Sequence, residues 1–149
     1  YKRQAFDKAF VEVARLDALL SSRQPSSQVL ALNQAPAGTS VKLRPEVTEV
    51  LGLAVDMAKE TDGAFDITWA ALRPLWKFSD TSAVRVVPTE AAIKKVLPQV
   101  GYRKLQLDRA AGTAALPQQG MAIDLGGLAR GFAADAPDAC RSPGACRPG

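Results

Sequence analysis

The chain has 149 residues, of which 47% are hydrophobic and 23% charged, and its formal net charge is +4. This composition fits one globular domain with a buried core, and the scattered basic residues form no run of the kind that binds nucleic-acid phosphates. Because the sequence contains no histidine, a Ser-His-Asp triad, a Cys-His pair and a histidine-ligated zinc site cannot be built from this chain alone.

The N-terminal region predicts one long helix and then a loop. Apolar residues recur at helical spacing over residues 2–20, which predicts an amphipathic helix with one face on the core: Phe6, Phe10, Val13, Leu16 and Leu20. Residues 21–38 are rich in Ser, Gln and Pro and predict a loop that holds one short apolar segment, Val29 to Leu32.

Two further helices are predicted from end signals and stripes. The second starts at Pro45, ends before Gly63 and buries a stripe of Val47, Val50, Leu51 and Ala54. The third starts near Thr89, a good N-cap, and stops at Pro98 and Gly101. We expect it to turn Ile93, Val96 and Leu97 inward.

The C-terminal region mixes strands with another helix. Residues 104–116 alternate around an Asp-to-Gly turn and predict a β-hairpin. Met121 to Leu125 predicts a short strand, and residues 128–135 predict a helix with Leu128 and Phe132 on one face. Because helices and antiparallel strands mix without βαβ alternation, the predicted fold class is α+β.

The stretch GMAIDLGGLARGFAAD, residues 120–135, places a carboxylate before two glycines at a predicted strand-to-helix junction. Gly126 and Gly127 would let a ligand approach the first free N–H groups of a helix. Asp124 could accept a hydrogen bond from a ligand hydroxyl or imide N–H, complete a metal shell, or cap the helix. Arg130 could reach a phosphate or a polarised ring oxygen.

The stretch ETDGAFDITWAALRPLW, residues 60–76, presents Ala64, Phe65 and Asp66 on a turn after a helix end. We interpret its later apolar residues as core: Trp69, Leu72, Leu75 and Trp76. Asp66 lies between Phe65 and Ile67, so its charge must find a partner or face a cleft.

Taken together, these segments resemble the ApbE family of FAD:protein FMN transferases. The resemblance rests on RLDALLS at 15–21, Ser27, LN at 32–33, TDGAFDIT at 61–68, LW at 75–76, VGY at 100–102 and residues 120–135. These motifs follow one another in order through most of residues 6–135.

The resemblance implies an ApbE-like fold with helices packed on a mixed or antiparallel sheet. It also implies an enzyme that, with Mg²⁺, transfers FMN from FAD to a threonine hydroxyl of a target flavoprotein and releases AMP. By resemblance, the FAD-binding residues are Ala64, Phe65, Asp66, Asp124 and Arg130, and Gly127 is a magnesium ligand through its carbonyl. The implied location is the periplasmic side of a bacterial membrane, with attachment only through a lipid anchor that this chain lacks.

The sequence also departs from the family pattern. Arg23 stands where an aromatic residue often lines the flavin site, and Arg130 stands where lysine is frequent. The family's N-terminal methionine-glycine-threonine segment and its C-terminal half, with the acidic and threonine magnesium ligands, are missing. We expect a chain truncated at its C-terminal side, with residues 1–135 forming the family's N-terminal portion.

Residues 136–149 carry three prolines and two cysteines, and the cysteine spacing matches neither a zinc knuckle nor a CxxC pair. We expect Pro137 to break the last helix and the tail to be aberrant, from a truncated or frame-disrupted end. Three hypotheses remain open: a transferase that is active only when complete, a non-catalytic flavin-nucleotide binding module, and a non-functional product of a damaged gene.

Overall fold

The computed structural model of the chain describes residues 2–76 and 87–139. Within these ranges the α-helices are α1 (Lys2–Leu20), α2 (Gln28–Gln34), α3 (Pro45–Glu60), α4 (Arg73–Trp76), α5 (Glu90–Val96) and α6 (Gly126–Ala139). The strands are β1 (Val41–Lys42), β2 (Gln106–Asp108) and β3 (Thr113–Ala115), and short 3₁₀ helices span Ile67–Leu72, Leu97–Gln99 and Tyr102–Lys104. The predicted α+β class is confirmed.

The three strands form one antiparallel sheet in the order β1-β3-β2. The predicted hairpin is β2 and β3, in which Leu107 pairs with Ala114. Its turn is closed by the Asp108 side chain, which accepts from the Ala111 N–H at 2.8 Å. Gly112 supplies the positive φ of +61° that such a turn requires.

The core lies between the C-terminal half of α1, α2, α3, the sheet and the segment before α6. The predicted stripe of α3 is confirmed, since all four of its residues are fully buried: Val47, Val50, Leu51 and Ala54. Pro45 occupies the first turn of α3, and Gly63 follows the helix with φ +83° and donates its N–H to Ala58.

The predicted apolar face of α1 is buried only in its second half. Leu16, Leu19 and Leu20 are buried, whereas Phe10 is 72% exposed and Val13 is 37% exposed; the side chain of Phe6 lies outside the described part. Helix α1 packs against α6 and, through its C-terminal end, against α2. The predicted helix is confirmed, but the predicted extent of its buried face is wrong. The spacing of apolar residues does not show how much of a helix the neighbouring elements cover.

Residues 21–38 contain a helix where a loop was predicted. Helix α2 begins after Ser27, whose hydroxyl accepts from the Val29 N–H at 3.1 Å and donates to the Leu19 carbonyl at 2.9 Å. The short apolar segment is thus a helix that buries Val29 and Leu32. The prediction missed it because seven residues are too few for a clear helical period.

Two predicted inward faces are only partly buried. Helix α5 has the predicted Thr89 N-cap; Ile93 and Val96 are half-buried, whereas Leu97 is 51% exposed. The α-helix ends at Val96, before Pro98 as predicted, and the chain continues as a 3₁₀ turn at Leu97–Gln99. Trp69, interpreted as core, is 41% exposed, while Leu72, Leu75 and Trp76 are half-buried.

Residues 121–125 are not a strand in the described structure. The Asn33 side chain takes the place of a neighbouring strand, since it accepts from the Ile123 N–H at 2.8 Å and donates to the Ile123 carbonyl at 2.9 Å. Met121, Ile123 and Leu125 are nevertheless buried, as an apolar strand would be. The backbone N–H and carbonyl of Ile123 are therefore hydrogen-bonded to a side chain and not to a neighbouring strand.

Helix α6 runs from Gly126 to Ala139 and includes Pro137, so the predicted break at that proline is wrong. Residues 140–149, with both cysteines, lie outside the described residues. None of the helices in the described ranges combines the length and the apolar character that crossing a membrane requires.

Candidate functional site

Asp124 stands two residues before α6 and is the centre of the candidate site. Its Oδ1 accepts from the Gly126 N–H at 2.6 Å, and its Oδ2 accepts from the Ser22 hydroxyl at 2.8 Å and forms an ion pair with Arg73. Only 15% of the Asp124 side chain is exposed. The carboxylate therefore caps the helix start, one of the predicted alternatives, and is neutralised by a neighbouring arginine.

The structure brings the two motifs of the sequence together at this point. The Asp124 N–H donates to the Ile67 carbonyl at 2.9 Å, which ties residues 120–127 to the turn of residues 64–66. Phe65 packs against the core from that turn, and its ring lies 3.5 Å from the position that a Cβ on Gly127 would take. The turn and the helix start thus form one surface.

The two glycines have different reasons to be there. A Cβ on Gly126 would lie 2.8 Å from the Asp124 Oδ1, a distance that forces the carboxylate or the helix start to move. A Cβ on Gly127 would make an ordinary van der Waals contact with Phe65. The first glycine is thus required by the cap, whereas the second is not required by packing.

Asp66 finds its partners inside the chain. Its Oδ1 accepts from the N–H and the hydroxyl of Thr68 at 2.8 and 2.6 Å, and its Oδ2 accepts from the Tyr102 N–H at 2.8 Å. The Thr68 hydroxyl in turn accepts from the Gly101 N–H at 2.7 Å. Asp66 therefore caps a 3₁₀ helix and holds the segment 100–102 against it; its assignment to FAD stays a prediction.

Arg130 and Ala64 are exposed near the helix start. Arg130 lies one turn into α6, and helical geometry places it on the side of Gly126 and Gly127. In the part of the chain that the structure describes, its guanidinium has no hydrogen bond or ion pair. Arg130 is thus available to a ligand.

The surroundings of Asp124 carry a surplus of positive charge. Burial, followed by the charge of nearby Arg23, lowers the pKa of Arg73, although an arginine stays charged at neutral pH. Arg73 pairs with Asp124, the exposed Arg23 is near enough to repel Arg73, and the exposed Arg130 lies one turn into the helix that Asp124 caps. Such a surplus favours an anionic ligand.

Comparison with known proteins identifies the family. Residues 1–140 match the sequence model of the ApbE family. The chain belongs to the ApbE family.

Curated relatives of this ApbE chain are named FAD:protein FMN transferase. That of Treponema pallidum is 29% identical over 136 residues, which are 88% of this chain and 37% of the relative. That of Haemophilus influenzae is 29% identical over 125 residues, which are 80% of this chain and 36% of the relative. The chain thus spans little more than a third of the length of these relatives.

Solved ApbE structures share the fold. The ApbE protein of Thermotoga maritima superimposes with a TM-score of 0.82 at 29% identity, covering 91% of this chain and 43% of that protein. The flavinyl transferase ApbE of Pseudomonas stutzeri, in its apo form, gives 0.82 at 25% identity, covering 93% and 45%. The expected ApbE-like fold is confirmed.

The described residues do not by themselves supply a metal centre. They contain no group of three or more acidic or cysteine side chains close enough to hold an ion. Asp124, the carboxylate nearest Gly127, already has three partners. The Gly127 carbonyl is in the first turn of α6, where the helix gives it an N–H partner four residues on.

The sequence interpretation missed Ser22 and Arg73, which contact Asp124 directly. A signal for Arg73 was present, since it is a lone charge in the apolar run ITWAALRPLW. The same reasoning that singled out Asp66 applies to it. Ser22 had no signal beyond its position after the RLDALLS motif.

Two cavities, of about 570 and 410 Å³, lie away from Asp124. The larger lies between α3 and the hairpin turn and includes Thr48 and Arg109. The smaller is beside Asn33 and Gln118. Neither of these two cavities is lined by a predicted site residue.

Proposed function

We propose that an ApbE protein containing this chain is an FAD:protein FMN transferase, which transfers FMN from FAD to a threonine hydroxyl of a target flavoprotein and releases AMP. The observation that carries the proposal is the Asp124 N–H bond to Ile67, because it unites the two family motifs in one surface. The names of the relatives support the transfer of FMN from FAD to a protein.

The chemistry of this surface suits a flavin nucleotide. Arg130 has donors free for a pyrophosphate, and the N–H of Gly127 points out of the first turn of α6, where an anion is favoured. Phe65 offers an aromatic edge beside them. We assign FAD contacts to Ala64, Phe65, Asp66, Asp124 and Arg130.

In this proposal the chain binds and orients FAD, and the positive charge of Arg130 favours the negatively charged pyrophosphate. Phosphoryl transfer depends mainly on positioning and charge neutralisation, so the lack of histidine is no obstacle. Magnesium, when bound, neutralises charge on the phosphates. Among the described residues the resemblance assigns only the Gly127 carbonyl to magnesium, so in this proposal its other protein ligands come from outside them.

Because the relatives are much longer than this chain, we propose that the 149-residue chain alone is inactive. Magnesium prefers about six oxygen ligands in octahedral geometry, and the described residues hold no acidic cluster that could supply them. The periplasmic side of a bacterial membrane is the proposed location.

Mass spectrometry of an acceptor flavoprotein tests the proposal. A completed protein, in which the remaining part of the Thermotoga maritima relative is joined to this chain, should make the acceptor heavier by one FMN unit in the presence of FAD and Mg²⁺. Chelation of Mg²⁺ should abolish this increase in the mass of the acceptor. Replacing the acceptor threonine by valine should abolish it as well. The 149-residue chain alone should release no AMP. No modification at any magnesium concentration would refute the transferase proposal.

One observation favours a second function, a flavin-nucleotide binding module without catalysis. Arg23 is exposed beside Arg73 where the family often has an aromatic residue. Tight FAD binding by the completed protein without acceptor modification would support the module.

A further inference from the structure

Arg73, Ser22 and Asp124 form a closed triangle of polar contacts. The Arg73 Nη1 donates to the Ser22 Oγ at 3.2 Å, the Ser22 hydroxyl donates to the Asp124 Oδ2 at 2.8 Å, and Arg73 pairs with the same Oδ2. Each of the three side chains thus contacts the other two. Such a triangle fixes the plane of the carboxylate, because Oδ2 cannot rotate without breaking two contacts.

Arg73 is itself fixed by its surroundings. It is the first residue of α4, directly after the 3₁₀ helix Ile67–Leu72, and its guanidinium lies over the Trp69 ring at 5.4 Å from the centroid. Arg23 is near enough to repel the Arg73 guanidinium. The guanidinium is therefore held by an aromatic face, a hydroxyl and a carboxylate.

The Arg73–Asp124 pair is the least exposed ion pair that the described residues form. Its side chains are 28% and 15% exposed, against 38% and 29% for Arg15 and Glu12 and 74% and 91% for Arg103 and Asp62. Arg103 also lies over an aromatic ring, that of Tyr102 at 5.2 Å. Because exposed pairs contribute little, the partly buried Arg73–Asp124 pair can hold a geometry that the Arg103–Asp62 pair cannot.

We propose that Arg73, acting with Ser22, is a positioning residue that sets the orientation of the Asp124 carboxylate for its ligand. A carboxylate offers about four acceptor sites, and three are taken, one of them on Oδ1 by Gly126. By holding Oδ2, Arg73 leaves the remaining acceptor site on Oδ1, at the start of α6. This inference rests on the proposed function, in which Asp124 contacts FAD.

A double-mutant cycle on FAD affinity tests the positioning role. In the completed protein, we expect Arg73→Met to raise the Kd for FAD, measured by flavin fluorescence, by about tenfold. A hydrogen bond to a charged group contributes a free energy that corresponds to a change in Kd of this size. Asp124→Asn should weaken binding as well, and the double variant should bind no more weakly than Asp124→Asn alone. Arg73→Lys should restore part of the affinity. Arg103→Met, which removes a similar arginine from an exposed pair, should leave the Kd unchanged.

Additive losses would overturn the proposal, because Arg73 would then act on FAD independently of Asp124. Unchanged affinity in Arg73→Met would overturn it too, since the arginine would then serve stability alone. A loss in Arg73→Met that Arg73→Lys does not reduce would contradict the role of the positive charge.

A measurement without flavin separates this inference from the proposed function. In Arg73→Met, the Gly126 amide should lose hydrogen-exchange protection relative to the core amide of Leu51, and in Arg103→Met it should not. Unchanged protection in Arg73→Met would overturn the positioning role whatever FAD does. Lost protection together with no FAD binding by the unmutated completed protein would leave the contact with Asp124 standing and refute the proposed function instead.

Discussion

The backbone N–H of Asp124 donates to the carbonyl oxygen of Ile67 at 2.9 Å. This bond joins the segment before α6 to the start of the 3₁₀ helix that Asp66 caps. Because the carboxylate of Asp124 also caps α6 and contacts Ser22, one residue connects three parts of the chain. The candidate site therefore depends on the fold around Asp124 as much as on its charge.

The two glycines at the α6 start should respond differently to alanine. Gly126→Ala should destabilise the fold by about 1–3 kcal/mol, because its Cβ would clash with the Asp124 carboxylate. Gly127→Ala should be neutral or stabilise by up to about 1 kcal/mol through helix propensity. Urea unfolding measures both. Equal losses in the two variants would contradict the different packing of these glycines.

Asp66→Ala should lower the free energy of unfolding by about 2 kcal/mol or more, since it removes a cap and leaves the Tyr102 N–H without its partner. The matched control is Asp108→Ala, which removes the exposed bond to the Ala111 N–H and should cost under about 1 kcal/mol. If Asp66→Ala unfolds at the same urea concentration as the control, the hydrogen bonds of Asp66 to Thr68 and Tyr102 do not stabilise the fold.

Acid should weaken the fold through two arginine-bound carboxylates. Hydrogen bonds from Arg15 hold the pKa of Glu12 below its ordinary 4.5, against a smaller opposing effect of burial, and Arg109 holds that of Asp56 below 3.8. Their folded pKa values lie below the unfolded ones, so their stabilisation is complete above the ordinary values and is lost as pH falls through the folded values.

The free energy of unfolding of Glu12→Gln should therefore lie below that of the original chain at about pH 6, and the difference should shrink as the pH falls below the ordinary pKa of 4.5. Urea unfolding across that interval measures the difference. A difference that stays constant with pH would show that the Arg15 contact does not depend on the charge of Glu12.

Asp124→Ala should weaken FAD binding by about tenfold or more through lost hydrogen bonding. The alanine variant also leaves the Arg73 guanidinium without its carboxylate, so a loss of stability should accompany it. Flavin-fluorescence titration of folded protein, checked by circular dichroism, separates the two effects. An unchanged affinity for FAD would mean that Asp124 caps α6 and does not contact FAD.

The exposed apolar side chains of α1 should make the 149-residue chain self-associate. Phe10 and Val11 are 72% and 69% exposed. Exposed apolar side chains that lie close together on one helix favour association between copies of the chain. Phe10→Glu should reduce self-association in light scattering without lowering the free energy of unfolding. Leu16→Ala, at a buried position of the same helix, should instead cost about 2–5 kcal/mol. A monodisperse unmutated chain would contradict the prediction.

The local elements and the family could be predicted from the sequence alone. Helices α1, α3 and α6 and the β2–β3 hairpin were predicted because spacing, caps and turn residues act over a few neighbouring positions. The motifs around Asp66 and Asp124 were found for the same reason, since each is a short contiguous pattern. The family match over residues 1–140 confirms the resemblance on which the site rests.

Which side chains meet and which faces are covered depends on the tertiary structure. No local pattern could place Arg73 and Ser22 on Asp124 or put Asn33 in the role of a strand beside Ile123. The exposure of Phe10 and the continuation of α6 through Pro137 were equally out of reach. The reason is physical: a hydrogen bond or a buried face between distant segments depends on the path of the whole backbone, whereas the sequence pattern specifies only the segment that carries it.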